Sequence, residues 1–184
     1  MLHFFTLPIG KRCMTGAGRL IAVDVNGTFG ALVGELEYSM FIVTVQAGEQ
    51  LAGCLVGFSC QTSIHPPRFL VCLSRENHTY RVAKSAPELA VHFVPRQAEA
   101  LVELFGGSTG DLVDKFSRCV WQSGPAGVPI LQECPNWFVG RVLDRIDLGD
   151  HVGFLLEPVA AQRAGGPPYY PFRQAKQVEP GHPS

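Results

Sequence analysis

The stretch Cys54–Phe69, CLVGFSCQTSIHPPRF, lies between two apolar segments, and its reading decides the fold. It begins as a buried strand through Leu55 and Val56. Large apolar side chains then thin out across Gly57, Ser59, Cys60, Gln61, Thr62 and Ser63, and Pro66 and Pro67 end the run. A second apolar strand, Phe69–Leu73, follows at once. Glycine lets a backbone approach another group closely, and the residues after it offer hydrogen-bond donors of little bulk. Two readings fit residues 57–65: a plain connecting loop, or a wall of backbone N–H and hydroxyl groups for a polar ligand.

Working outward, Met40–Ala47 (MFIVTVQA) is β-rich, Gly48-Glu49 makes a hairpin turn, and Gln50–Gly57 returns. Beyond the interruption, Arg68–Ser74 and Glu88–Val94 read as strands. Asn77 is placed to cap a short helix through Lys84. Pro95 suits the first turn of a helix through Phe105. GGSTGD is a break that lacks the G-K-[ST] ending of a phosphate loop, and a short helix is expected over Leu112–Phe116. Strands follow at Cys119–Gln122, Asn136–Asp147 and Val152–Ala161, the last two meeting at DLGDH. Upstream, Thr28 is placed to cap a helix whose stripe is Phe29, Leu32, Val33 and Leu36. Residues 1–20 show no periodicity and read as a loosely held arm; GAGRLI has no strand before it, so it is not a dinucleotide fingerprint. Strands joined by tight turns, with few helices and no regular βαβ alternation, imply an antiparallel barrel with helices outside or at its mouth.

Composition narrows the function. The chain has 184 residues, 46% hydrophobic and 17% charged, which suits one globular domain. A formal net charge of -1 gives no basic field for nucleic acid. No apolar run approaches the ~20 residues that span a bilayer, so no membrane role is expected. The N-terminal MLHFFTLPIGKRCM places its basic residues after the apolar ones, the reverse of a secretory signal, and a cytoplasmic location is expected. The six cysteines include no C-x-x-C pair and read as buried reduced thiols, with no metal site. An interaction or metal module built from Cys54, Cys60, His65 and Cys72 finds no standard spacing.

The next turn, RENHTYR, raises the odds of a ligand wall. Arg75, His78 and Arg81 are cations, and Asn77, His78 and Thr79 would stand at a helix start that favours an anion. The alternative is an ordinary cap and a solvated face. His151 follows Gly149-Asp150 at a turn, where a functional role competes with a structural one. His65 precedes two prolines and His92 lies mid-strand, facing outward on this reading. Asp144, Asp147 and Asp150 cluster at a surface turn and do not read as a catalytic pair; G-x-S-x-G is absent.

In this order, GCLVGFSCQTSIHPPRFLVCLSRENHTYR, ELAVHFV, FGGSTGDLVDKF and GDHVGFLLEPV resemble the flavin reductase-like proteins of the FMN-binding split barrel, from about Phe29 to the tail. The resemblance implies a mainly β, six-stranded antiparallel Greek-key barrel with short flanking helices, which pairs as a homodimer. It implies an arm at 1–25, the domain at 26–163 and a tail at 164–184. It implies that Leu55, Val56, Gly57, Phe58, Ser59, Cys60, Gln61 and Thr62 line a flavin, FMN or FAD, largely through backbone groups. Arg75, Asn77, His78, Thr79 and Arg81 would serve its phosphate end, and Phe116 of the DKF segment would approach the flavin or the partner subunit. His151 would stand on the nicotinamide side, with NAD(P)H as hydride donor. The implied activity is an NAD(P)H-dependent flavin reductase, with room for a monooxygenase partner. The alternative is a flavin carrier or redox sensor without turnover. Many relatives carry more Ser and Thr in the first loop; here Gly57–Ser63 relies more on backbone N–H groups and Gln61.

Overall fold

The computed structural model describes residues 24–166 and 168–181. The expected arm at residues 1–20 and GAGRLI lie outside the described residues, as does Cys13. The chain divides into two compact units, residues 1–36 and 37–184. In the first, helix α1 covers Val25–Gly34. Its cap is Asp24, not the expected Thr28: the Asp24 side chain accepts from the Gly27 N–H at 3.0 Å. A side chain at Gly27 would collide with that carboxylate, so the glycine makes the cap possible.

The second unit is built on one sheet. Its strands are β1 (Phe41–Ala47), β2 (Gln50–Val56), β3 (Ser59–Ser63), β4 (Arg68–Ser74), β5 (Glu88–Phe93), β8 (Asn136–Asp147) and β9 (His151–Arg163), with the ribbon β6 (Trp121–Ser123) and β7 (Pro129–Leu131) beside it. The sheet order is β2-β1-β5-β8-β9-β4-β3, and every pairing is antiparallel. Although β2 is one edge and β4 is next to the other, Ala52, Cys54 and Val56 share a core with Val71 and Leu73. The sheet therefore curls upon itself. Phe154 and Leu156 of β9 complete that core, both fully buried.

The strand count corrects the six-stranded expectation: the main sheet has seven. The extra strand is β3, the segment expected to be a loop. Its exposed, small side chains carry no apolar alternation, so only the backbone pairing with β4 reveals it.

Helix α2 spans His78–Ala83 with Asn77 as its cap, its side chain accepting from the Thr79 N–H at 2.9 Å. Helix α3 covers Glu99–Gly106 and begins later than Pro95, which instead bridges to Tyr169. Residues 112–116 form turns, not the expected helix, because the stripe there is false: Leu112 is 85% exposed while Lys115 is buried. The tail carries α4 (Phe172–Ala175), with Tyr170 and Ala175 buried in a second core beside Leu101, Val102 and Phe105.

His92 corrects another expectation. It is fully buried, not outward, because β5 is covered on its second face by the β7 segment. The Leu131 N–H donates to Nε2 at 3.1 Å, so Nε2 carries no proton and Nδ1–H donates to the Ile42 carbonyl at 3.0 Å. Burial pushes the imidazole down to about 4, which keeps this neutral tautomer in place.

Candidate functional site: the β3 edge and the His151 turn

Gly57 begins the site. A Cβ there would stand 3.2 Å from the Tyr38 ring and 3.5 Å from Met40, so a larger residue would crowd the approach to β3. The Cys72 N–H donates to the Phe58 carbonyl at 2.9 Å, which makes Phe58 and Cys72 a hydrogen-bonded pair. The register then runs Ser59↔Val71, Cys60↔Leu70 and Gln61↔Phe69. Because bonded and non-bonded pairs alternate in an antiparallel ladder, the N–H and C=O groups of Ser59 and Gln61 point away from β4. They lie along the free edge of the sheet. Beyond Gln61 the register shifts, so Thr62 sits at an irregularity.

Side chains alternate across the sheet. Phe58 and Cys60 therefore share a face with Leu70 and Cys72, and the β4–β9 register (Ser74↔His151, Cys72↔Gly153) extends that face to β9. The Phe58 ring lies 5.1 Å from the His151 ring, centroid to centroid. Gly153 lies opposite Cys72 on this face, and a Cβ there would come within 2.9 Å of Leu148 and 3.0 Å of Leu70. Phe58 is 57% exposed, so this corner is open to a ligand. Burial, with Cys60 nearby, raises the Cys72 thiol pKa, which keeps it protonated. Gln61 turns its amide to the Ser63 carbonyl at 3.1 Å. Leu55 and Val56 stand apart from this face, with their side chains packed into the two cores.

The His151 turn is held from both sides. Gly149 has φ of +106°, a conformation that favours glycine. Asp147 accepts from the Gly149 N–H at 3.0 Å, and that bond, with Arg75 beside it, lowers its carboxyl pKa. Arg75 reaches across from the end of β4: Nε donates to the Gly149 carbonyl at 2.9 Å and Nη2 meets Asp147 at 2.8 Å. His151 Nδ1 pairs with Asp150 at 2.8 Å, and this contact lowers the Asp150 pKa. With Nδ1 so engaged, Nε2 is the nitrogen left for a ligand.

At α2 the cations expected for a phosphate already hold a carboxylate. Asp111 takes the Arg81 guanidinium at 2.5 Å, the His78 ring at 2.9 Å and the Thr109 hydroxyl at 3.1 Å. Arg81 first, then His78, holds its carboxyl well below the usual range. Three donors converging on one carboxylate offer an anion the same set. Such exposed pairs are screened by solvent and contribute little, so a doubly charged phosphate has little to displace. Gly110 permits the contact, since a Cβ there would lie 2.7 Å from the His78 ring. Asp111 is a candidate site residue that the sequence motifs did not single out; its signal is an acid closing the glycine-rich GGSTGD break.

Two expected residues are absorbed by packing. Thr79 is 1% exposed, on the buried face of α2. Phe116 is 8% exposed, edge-on to Phe105 at 5.9 Å and Trp121 at 5.7 Å. Its neighbour Lys115 is buried and donates to the carbonyls of Gly53 at 3.0 Å and Phe105 at 3.2 Å. Among the described residues no group of three His, Cys, Asp or Glu is arranged to hold a metal ion, and no helix is long and apolar enough to cross a membrane.

Comparisons with known proteins agree on a family. The flavin reductase like domain matches residues 33–179. The FMN reductase (NADH) RutF of Klebsiella pneumoniae is 31% identical over 122 residues, 66% of this chain and 74% of that protein. Its namesake in Bradyrhizobium diazoefficiens is 29% identical over 124 residues, 67% of this chain and 68% of that protein. The NADH:FAD oxidoreductase of Streptomyces globisporus superposes with a TM-score of 0.73 at 21% identity, covering 84% of this chain and 92% of its own, a likeness of fold. Family and fold agree across most of the second unit: the chain belongs to the flavin reductase like domain family.

Proposed function

We propose that this protein is a flavin reductase that passes a hydride from NADH or NADPH to FMN or FAD. The observation that carries the proposal is the meeting of Phe58 with His151 on one open face, at 5.1 Å. These residues belong to two motifs far apart in the chain, and both motifs carry the family resemblance. In this reading the curled sheet is the family's Greek-key split barrel, with β3 added at its edge. The domain spans 26–163, preceded by an arm at 1–25 and followed by a tail at 164–184, whose Tyr170 and Ala175 share a core with α3.

The flavin and nicotinamide supply the hydride chemistry themselves. The chain's part is to hold and orient them. The outward N–H groups of Ser59 and Gln61 suit the polar edge or ribityl chain of a flavin, and Gly57 keeps the approach clear. Cys60, whose backbone pairs with Leu70, adds only its side chain to the face of Phe58, and Leu55 and Val56 act at one remove, as core packing. His78 and Arg81 take the phosphate by exchange with Asp111, beside the capped turn at Asn77 and Thr79. Arg75 positions the His151 turn and does not bind the phosphate. His151, held through Nδ1 by Asp150, presents Nε2 to the nicotinamide or supplies a proton. Phe116 acts at one remove, as packing beneath Lys115.

Exposed Phe58 (57%), Leu148 (50%) and Ile146 (37%) support pairing of two copies across this face. The described cysteines are all free, which fits a reducing, cytoplasmic setting. A monooxygenase consuming the reduced flavin fits the same chemistry. The test is anaerobic stopped-flow reduction with His151→Ala. Flavin reduction is expected to slow by about 100-fold with flavin affinity nearly intact. An unchanged reduction rate refutes the role of His151.

A further inference from the structure

A cavity lies well along β9 from the His151 turn. It has a volume of about 650 Å³ and opens at the end of the curled sheet where β4 and β8 begin and β9 ends. Its nearest β9 residue, Pro158, is seven residues beyond His151, about 23 Å along an extended strand. The volume lies within the usual ~300–1,000 Å³ of small-molecule sites, and the mouth of a curled sheet is a common place for one.

Its walls are aromatic and already ordered. Phe69 and Phe138 stand edge to face at 5.3 Å, Phe93 packs on Phe138 at 6.4 Å and on Tyr169 at 5.4 Å. Trp137 adds a further ring to the lining. One side of the mouth is clamped by Asn136, which is 5% exposed. Its amide donates to the Gly165 carbonyl and the Tyr169 hydroxyl, both at 3.0 Å. Its carbonyl accepts from the Ala164 and Gly165 N–H groups at 2.9 and 3.0 Å. The Tyr169 ring is thus fixed against Phe93 before any ligand arrives.

The rim is positive. No Asp or Glu is among the described residues that line the cavity, whereas Arg68 and Arg163 do. Arg68 shares Glu157 with Arg141, so two guanidinium groups face one carboxylate there. Arg163 has no carboxylate partner among the described residues. Aromatic walls with a cationic rim select a planar ring that carries a negative charge.

We propose that this mouth binds a small aromatic carboxylate at a site distinct from the flavin's, the two meeting at Gln61, which lines the cavity. The experiment is calorimetric titration of the purified protein, with FMN present, by 2-naphthoate and by its neutral amide, 2-naphthamide. The expected result is saturable one-to-one binding of 2-naphthoate, at least tenfold tighter than the amide. Arg163→Gln, at an exposed position, weakens the acid about tenfold and leaves the amide and FMN affinities unchanged. Three results overturn the proposal: no saturable heat up to millimolar probe, equal affinity for acid and amide, or displacement of FMN by 2-naphthoate. The last would make the mouth part of the flavin site.

Discussion

His92 makes acid sensitivity of the fold calculable. Folded, the imidazole titrates at about 4; unfolded, it returns to 6.5. The native state therefore stays neutral where the unfolded chain takes up a proton. The resulting stability is complete above pH 6.5 and is lost as pH falls from 6.5 to about 4. At about 1.4 kcal/mol per pKa unit, that gap amounts to about 3 kcal/mol, most of it gone by pH ~4.5. The protonated ring would also put an N–H in place of the acceptor that the Leu131 N–H needs, and so loosen β7 from β5. Urea denaturation from pH 7.5 to 4.5 measures the loss in the native chain. His92→Gln removes the titrating group, so its stability is lower at pH 7.5 but falls less with acid, by about 2–3 kcal/mol over that range. Parallel pH profiles for the two proteins refute the reasoning, as does an NMR titration of His92 near 6.5.

Two further substitutions separate site from scaffold. Asp111→Asn releases His78 and Arg81, so FMN affinity is expected to rise by roughly two- to tenfold while riboflavin, which lacks the phosphate, is unaffected; an equal change for both flavins removes Asp111 from the phosphate account. Lys115→Met leaves the Gly53 and Phe105 carbonyls without their buried donor, at an expected cost of about 2–4 kcal/mol in urea denaturation, and a loss below ~0.5 kcal/mol would show that those bonds contribute little.

The backbone of the fold is legible wherever apolar pattern and burial coincide. β1, β2, β4 and β5 fall where MFIVTVQA, CLV, FLVCL and ELAVHFV place them, and Asn77 caps α2 as its chemistry dictates. β3 escapes because an edge strand covered by neither core needs no apolar alternation, so pairing with β4 sets it and composition does not. The false helix at 112–116 arises in the opposite way: Leu112, Val113 and Phe116 suggest a stripe, yet only Phe116 among them is buried. His92 looks outward because period-two alternation assumes one wet face, and nothing in ELAVHFV announces that β7 will cover the second. In the site, the motifs predict which segments converge. They do not say that Arg75 is taken by Asp147, or that Arg81 and His78 are taken by Asp111, because those partners arrive from hairpins and loops distant in sequence.

The chemistry at stake is hydride transfer to a flavin held beside β3 and His151. Its direct test is the visible spectrum of the purified protein, saturated with FMN or FAD, mixed with NADH or NADPH in the absence of oxygen. The flavin bands are expected to bleach at a rate that saturates with nicotinamide and far exceeds that of the same flavin free in solution. Flavin that binds but is reduced no faster than free flavin would contradict it, and so would failure to bind either flavin at any accessible concentration.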